Sequence, residues 1–434
     1  MSLGISVRGA LPMGKGGEGL AGEIAAWLSR RCADTLESAV SAWEEEGVAG
    51  LSAELHPCAE PVTIELDGEV RVSANTSSAG PGYHQYVCEL IDQLGQRFDV
   101  AWAADAGEDP DETGYFIHRD RAKLEARMLR WLAAVGQSLA MHEDDGDSIA
   151  VSMSMDHQFD AGAAIVTPLG PRARDWKGWG NGGEVWEADA AREAAGFFAW
   201  WDEGETARTR LNRALARMWA QVRWVEPRSE AEARVFGMTL RDLDAAWETD
   251  PQLDYPWREW LELCELTAEE APAMPLLRDR AATTLGPLIG YRRRPVRVLL
   301  PGAWNIRIPG TFSETYEEEG GFLAWDERRN LRVSSFSMRC CDDDGHEHEL
   351  PSPDEMLNDD ADAELPPAIE ELERWEVEGL VGVGKLFRDE DEGAAYWVLM
   401  GKVAGEGRLA LCTVCYESES DRAWAEETLR SLRG

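Results

Sequence analysis

Two hydrophobic periods alternate along this chain, and together they demand both helices and sheet. Apolar residues recur at the helical period at Leu20, Ile24, Trp27, Leu28, Leu36, Val40 and Trp43, which predicts a helix over Glu18–Glu46. A second stripe, Leu124, Met128, Trp131, Leu132, Val135 and Leu139, predicts a helix over Arg119–Leu139. Between them, Val62-Thr-Ile-Glu-Leu66 and Glu69-Val-Arg-Val72 alternate with period two around Asp67-Gly68, a dipeptide suited to a tight hairpin turn. Pro81 sits where a first helical turn would begin, leading into Tyr86–Leu94. Ser148–Met155 and Ala163–Val166 read as strands. Residues 1–170 are therefore expected to form a mixed α/β domain.

The segment 171–290 differs in kind. Ten tryptophans lie between Trp176 and Trp260, and the pattern is mostly helical. Leu211, Leu215, Met218 and Val222 mark one helix and Ala231–Trp247 another, behind a loop containing Gly178, Gly180, Gly182 and Gly183. Pro251, Pro256, Pro272 and Pro275 punctuate its far side. From 291 to 434, strand patterns at Val296–Leu300, Gly321–Trp325, Leu331–Met338, Leu380–Phe387, Ala395–Met400 and Leu409–Tyr416 predict an antiparallel sheet. A closing helix after Ser420 places Ala425, Leu429 and Leu432 on one face. Cys340–Pro367 is acidic and proline-containing and reads as a long solvated loop. The expected fold class is α+β: a mixed α/β N-terminal domain, a Trp-rich helical middle, and a C-terminal antiparallel sheet with helices.

Charge narrows the function. The 82 Asp and Glu outnumber the 43 Lys and Arg of the 434 residues, a formal net charge of −39. Such a field repels nucleic acid and anionic lipid and attracts cationic partners. Met1–Leu11 lacks the apolar core of a signal peptide, and no apolar run approaches the roughly 18 residues of a membrane span. Cys88, Cys264 and Cys412 sit in apolar segments, as free thiols do in a reducing compartment. A cytoplasmic protein with no nucleic-acid partner and no membrane insertion is expected.

Part of the last segment resembles a known fold. Leu300-Pro-Gly-Ala-Trp304, Ile308-Pro309-Gly310, the aromatic strand Phe322–Trp325 and the final helix Asp421–Leu432, closing with Ser431-Leu432-Arg433, are similar to the PsbP-like α+β fold. That fold occurs in photosystem lumenal subunits, Ran-binding proteins and adaptor chaperones of type VI secretion effectors. The resemblance covers about a third of the chain and implies a module that binds proteins or small ligands rather than one that catalyses.

Several residue clusters are candidates for chemistry. Gly9-Ala-Leu-Pro-Met-Gly14-Lys15-Gly16 approaches a phosphate-binding loop, with Gly16 where that loop needs a hydroxyl. Cys340, Cys341, His346 and His348 are zinc-type donors within nine residues, without the usual paired spacing. His142, Asp144, Asp145 and Asp147, followed by Asp156-His157, form an acidic turn that lacks the closing Glu of a calcium loop. Cys412 and Cys415 make a Cys-x-x-Cys, but on a strand their side chains point to opposite faces. Trp200 and Trp201, and the acidic loop residues Asp342, Asp343, Asp344, Asp359 and Asp360, are candidates for contacting a partner. Most of the middle tryptophans are expected to be core.

These features favour a non-enzymatic protein-binding factor of adaptor, chaperone or immunity type. It would use an acidic surface against a basic or amphipathic protein and need no cofactor. The alternative is a metal- or nucleotide-dependent enzyme using the 142–157 cluster, with calcium or magnesium, or the 340–348 cluster, with zinc.

Overall fold

A computed structural model describes residues 3–11, 18–45, 47–103, 111–141, 149–180, 186, 188–317, 320–338, 350–357, 367–391 and 393–434. The fold is α+β. The chain divides into two compact units. The first comprises Met1–Ser154, Ala161–Val222 and Glu230–Gly290; the second comprises Met155–Asp160, Arg223–Ser229 and Tyr291–Gly434. Residues 1–170 and the Trp-rich region 171–290 thus contribute mainly to one unit, and 291–434 makes most of the other.

The first unit runs β1 (Gly4–Ala10), α1 (Glu18–Arg31), β2 (Ser41–Glu45), β3 (Val48–Ala53), β4 (Val62–Leu66), β5 (Glu69–Asn75), α2 (Pro81–Phe98), β6 (Ala101–Trp102), α3 (Tyr115–His118) and α4 (Arg121–Met141). The helices α5 (Ala188–Ala195), α6 (Ala207–Ala220), α7 (Glu230–Thr249), α8 (Trp257–Thr267) and α9 (Met274–Thr283) follow. Among the described residues, six strands form a sheet in the order β2-β3-β4-β5-β1-β6, with every neighbouring pair antiparallel. The period-two pattern of β4 and β5 buries Val62, Ile64, Leu66, Val70 and Val72. They share one core with Ile24 and Leu28 of α1, Val87 and Leu94 of α2, and Phe197, Phe198 and Trp200.

The hairpin expected at Asp67-Gly68 is present, with Gly68 at φ 67°, a left-handed conformation that glycine adopts without strain. The helix expected over Glu18–Glu46 instead stops at Arg31, and Ser41–Glu45 is the edge strand β2. Tertiary packing overrides the helical period there. Trp43 stands opposite Gly50 of β3, where an added Cβ would lie 2.1 Å from the indole, so the ring covers the glycine and holds the edge strand in place. Of the strand expected over Ser148–Met155, the described residues keep one parallel bridge, Ala150 to Val166.

None of the ten tryptophans from Trp176 to Trp260 is exposed. Trp179, Trp200, Trp224 and Trp260 are buried and the other six half-buried. Trp247, Tyr255, Trp257 and Trp260 pack as one cluster with ring centroids 5.5–6.5 Å apart. That spacing is ordinary aromatic contact and leaves no room for a guest between the rings.

The second unit runs β7 (His157–Phe159), β8 (Val296–Leu300), β9 (Trp304–Ile308), β10 (Ser313–Tyr316), β11 (Phe322–Trp325), β12 (Arg329–Ser337), α10 (Pro353–Leu357), β13 (Glu370–Val377), β14 (Leu380–Asp391), β15 (Ala394–Gly405), β16 (Arg408–Tyr416) and α11 (Arg422–Arg430). Among the described residues β10 to β16 form a seven-stranded antiparallel sheet in the order β10-β11-β12-β16-β15-β14-β13, and β7-β8-β9 form a smaller one. Leu429 of α11 enters the larger sheet at Gly401 and Gly384, where an added Cβ would lie 2.2 Å and 3.2 Å from the leucine methyls. At the outer strand β13, a bulge between Leu372 and Trp375 puts an extra residue into the strand. Trp375 then lies across Gly382 of β14, the same device as Trp43 on Gly50.

An ionic anchor joins the three chain segments of this unit. Glu314 of β10 receives Arg292 Nη1 at 2.7 Å, and its other oxygen lies 2.7 Å from His157 Nε2, while Arg223 stands 3.7 Å away. Arg228 adds a bond to the Thr311 carbonyl at 3.1 Å. Burial acts to raise the Glu314 carboxyl, but Arg292, the His157 bond and Arg223 override it and hold the group well below the usual carboxylate range.

Candidate functional site

Helix α2 organises the chemistry of the first unit. Pro81 occupies its first turn, where the missing N–H costs no helical bond. Gly82 N donates to the Trp200 carbonyl at 2.9 Å, and Trp200 N donates to the Ala79 carbonyl at 2.9 Å. A Cβ at Gly82 would fall 2.1 Å from the Asp202 carbonyl, so only glycine lets the 198–202 backbone lie against the helix start. Trp200 is 1% exposed and donates Nε1 to the Gly204 carbonyl at 2.9 Å. Trp201 is half-buried against Phe198.

One face of α2, Gly82, Gln85, Tyr86 and Glu89 at i, i+3, i+4 and i+7, lines a cleft of about 210 Å³. Arg31, Asp34 and Thr35 close one side, and Trp200, Gly204 and Glu205 the other. Asp34 and Glu89 thus face Arg31, while Glu205 is already paired with Arg210 at 2.7 Å and Arg213 at 2.6 Å. Arg31 Nε donates to Gln93 at 2.6 Å, and Tyr86 shares a 2.9 Å bond with Thr35. Gln85 donates to Glu89 at 3.0 Å and to Glu203 at 3.3 Å. The cleft is rich in acceptors, with aromatic rings at one wall, and suits a cationic group better than an anionic one.

Behind the cleft wall lies a buried ionic hub. Asp242 of α7 accepts Arg213 Nε at 2.7 Å, Arg213 Nη2 at 2.6 Å and Arg217 Nη1 at 2.7 Å. Arg213 also bonds Glu205 at 2.6 Å, and Arg217 makes a two-pronged contact with Glu37 at 2.7 Å. Burial acts to raise Asp242, and the Arg213 and Arg217 bonds override it to lower the carboxyl. Burial and then the two arginines push the neighbouring His56 well below its usual 6.5, so its ring is neutral. Its Nδ1 accepts from Cys58 N at 3.2 Å, which leaves the proton on Nε2.

Another face of α2 carries His84 and Cys88, one turn apart and both 0% exposed. His84 Nδ1 bonds Thr76 Oγ1 at 2.7 Å, and Nε2 donates to Asp111 Oδ2 at 3.1 Å. The other Asp111 oxygen accepts Thr113 N and Oγ1, each at 2.8 Å, and Oδ2 also accepts Phe116 N at 2.7 Å. Burial acts to raise Asp111, and the His84 bond and charge together with these donors override it, to about 2. Burial and then Asp111 push the Cys88 thiol far up. The His84, Cys88 and Asp111 donor atoms lie within 4.8 Å of one another.

Of the residues singled out from the sequence, Trp200 lines the cleft and Trp201 packs beside it. Asp342, Asp343, Asp344, Asp359, Asp360, Cys340, Cys341, His346 and His348 lie outside the described residues, as do His142, Asp144, Asp145, Asp147, Gly14, Lys15 and Gly16. Gly9 and Ala10 lie inside β1, which is antiparallel to both neighbours, unlike the parallel strand that feeds a phosphate-binding loop. Cys412 is buried and Cys415 half-exposed on alternate faces of β16, as strand geometry requires. His157 belongs to the Glu314 anchor. The His84–Asp111 cluster and the Arg213–Asp242 hub were not anticipated. The His84-x-x-x-Cys88 spacing was a visible signal for the first; Asp111 lies too far along the chain for spacing to join it.

No protein-family model and no curated protein matches the chain. A solved structure from Bacteroides thetaiotaomicron VPI-5482 is 17% identical over 32% of this chain and 47% of that one, with a TM-score of 0.24. The overlap is under half of that structure's length, and a likeness this slight carries no argument about function. No helix among the described residues is long and apolar enough to cross a membrane.

Proposed function

We propose that this chain is a non-enzymatic protein-binding factor, of adaptor, chaperone or immunity type, that engages a basic or amphipathic protein through an acidic surface. The observation that carries the reading is the charge of −39. Its placement supports it. The buried charged residues among those described are near balance, with Arg213, Arg217 and Arg292 beside Asp111, Glu232, Asp242 and Glu259. Among the described residues, the excess of acid is therefore carried outside the interior. On β13, Glu370, Glu371, Glu373 and Glu376 are all exposed, with Arg374 the one exposed cation of that strand. The acceptor-rich cleft beside Trp200 fits a lysine or arginine side chain from such a partner.

The same proposal places the protein in the cytoplasm, where its six described free thiols stay reduced. It also takes in the PsbP-like resemblance of the last third of the chain.

Affinity capture with the full chain from its source cells tests the reading. A stoichiometric partner with a basic face should be held at 50 mM salt and released by 500 mM, because exposed charge pairs are screened. Replacing Glu370, Glu371, Glu373 and Glu376 by Gln, or Asp34 and Glu89 by Asn and Gln, tells which acidic face is used. No stoichiometric partner at 50 mM salt, or one indifferent to both sets of substitutions and to salt, would overturn the proposal.

A further inference from the structure

We propose that His84, Cys88 and Asp111 bind one zinc-type divalent cation as a closed structural site. The three side chains supply a nitrogen, a sulfur and an oxygen, a donor set that suits a borderline-soft ion such as Zn²⁺. They come from two separate places, one turn of α2 and the segment entering α3, yet their donor atoms converge within 4.8 Å. This is a different set from Cys340, Cys341, His346 and His348, and it forms where the sequence gives only half the pattern.

The surroundings are those of a held ligand set. Thr76 Oγ1, 2.7 Å from Nδ1, fixes the His84 ring and leaves Nε2 directed at Asp111. Metal-bound histidines generally have their second nitrogen tied in this way. Thr113 N and Oγ1 hold one Asp111 oxygen, so the other points at the ring without freedom to rotate away. His84 Nε2 and Asp111 Oδ2 stand 3.1 Å apart. Ligands on a tetrahedral zinc are separated by about 3.4 Å, given bonds of about 2.0–2.3 Å, so the pair needs to part by only a few tenths of an ångström. Thr113 Oγ1, 3.2 Å from Nε2, is an oxygen within reach of a fourth position.

Binding exchanges protons for the ion. The cation displaces hydrogen from His84 Nε2, the neutral ring keeps its one proton on Nδ1, donated to Thr76 Oγ1, and the Cys88 thiol loses its proton as sulfur becomes a ligand. Because all three ligands and Thr113 are at most 1% exposed, the site suits a staple and not a catalyst that must admit water and substrate. It would tie the 111–118 segment to α2 across a long stretch of chain. The inference stands apart from the proposed partner, and its test reads metal alone.

Elemental analysis of the purified full chain should give about one zinc per molecule, or one after reconstitution. Cobalt in its place should show tetrahedral visible bands and a near-ultraviolet thiolate-to-cobalt band from a single sulfur. Cys88→Ser, a near-isosteric change, should remove the thiolate band, whereas Cys415→Ser and the double change Cys340→Ser/Cys341→Ser should leave it. Should Cys88→Ser fail to fold, the wild-type cobalt spectrum decides alone, since two thiolates or none contradict this ligand set. Less than about a tenth of an ion per chain after reconstitution would overturn the site. So would a thiolate band that survives Cys88→Ser and disappears with Cys340 and Cys341.

Discussion

Asp242→Asn is the sharpest single test of how the first unit is held together. The substitution keeps the size of the side chain and removes its charge from between Arg213 and Arg217, which are 0% exposed, as Asp242 itself is within 1%. Three charge-assisted bonds of 2.6–2.7 Å are weakened together. An amide can accept at only one of its two positions, and its NH₂ would face a guanidinium. Glu205 and Glu37 remain, one for each arginine, but neither can bridge the pair. Breaking a buried pair from one side costs about 3–5 kcal/mol, because here the two guanidiniums stay buried with one carboxylate fewer between them. With a urea dependence of about 3 kcal/mol per molar, the midpoint of the first unit should fall by about 1–1.7 M. Tryptophan emission reports it, since nine of the ten rings between Trp176 and Trp260 lie in this unit. Arg192→Ala, which deletes a pair with Asp189 whose side chains are 78% and 86% exposed, should change stability by less than about 0.5 kcal/mol. An Asp242→Asn shift no larger than that of Arg192→Ala would refute the reasoning that burial makes this hub costly to break.

Three further outcomes follow from the same physics. Glu314→Gln should release the 155–160 and 223–229 segments to limited proteolysis and flatten the acid response. The native carboxyl lies below its ordinary 4.5, so its stabilisation is complete above that pH and fades as the pH falls through the depressed value; an unchanged acid slope in the variant contradicts the anchor. His56 is held below 6.5, so the unfolded chain binds a proton that the native ring refuses, and stability present above pH 6.5 is lost below it at up to about 1.4 kcal/mol per pH unit. His56→Phe should remove that component from urea midpoints measured between pH 7 and 5, and parallel curves would count against it. Gly382→Val should cost about 1–3 kcal/mol and speed amide exchange along β13, because a Cβ there falls 2.1 Å from the Trp375 ring; slow exchange retained at β13 would show that the indole is not what holds the strand.

Where a segment obeys one period and meets the core on one face, the sequence was legible. The β4–β5 hairpin and the strands β8 and β16 bury the residues their alternation selects, and α4 buries Leu124, Met128, Trp131 and Leu132 of its stripe, with Val135 and Leu139 half-buried. The edge strands β2 and β13 were not. Ser-Ala-Trp-Glu-Glu and Glu-Glu-Leu-Glu-Arg-Trp-Glu-Val carry too few apolar residues to declare a buried face, and charge on an edge strand is what discourages unwanted pairing. Each is located instead by one tryptophan on a glycine of the next strand, a long-range match that no local window contains. The polar clusters follow the same rule. His84 and Cys88 are four residues apart and could be read together, but Asp111, Thr76 and Thr113 join them only when the chain folds. Glu37 reaches Arg217 across 180 residues.

The placement of charge ties the fold to its proposed use. Burying a carboxylate requires a partner, and here the partners are guanidiniums, which spread several bonds over one ion: Asp242, Glu205 and Glu37 share Arg213 and Arg217, and Glu314 takes Arg292. Each arginine so committed is withdrawn from the surface along with its carboxylates. The interior reaches near balance without drawing down the excess of acid elsewhere. An exterior this negative repels itself and weakens the compact state. A cationic partner would relieve that repulsion on binding. The energy gained by association would then come partly from strain the free protein already holds, and the acidity would serve recognition through the stability it costs.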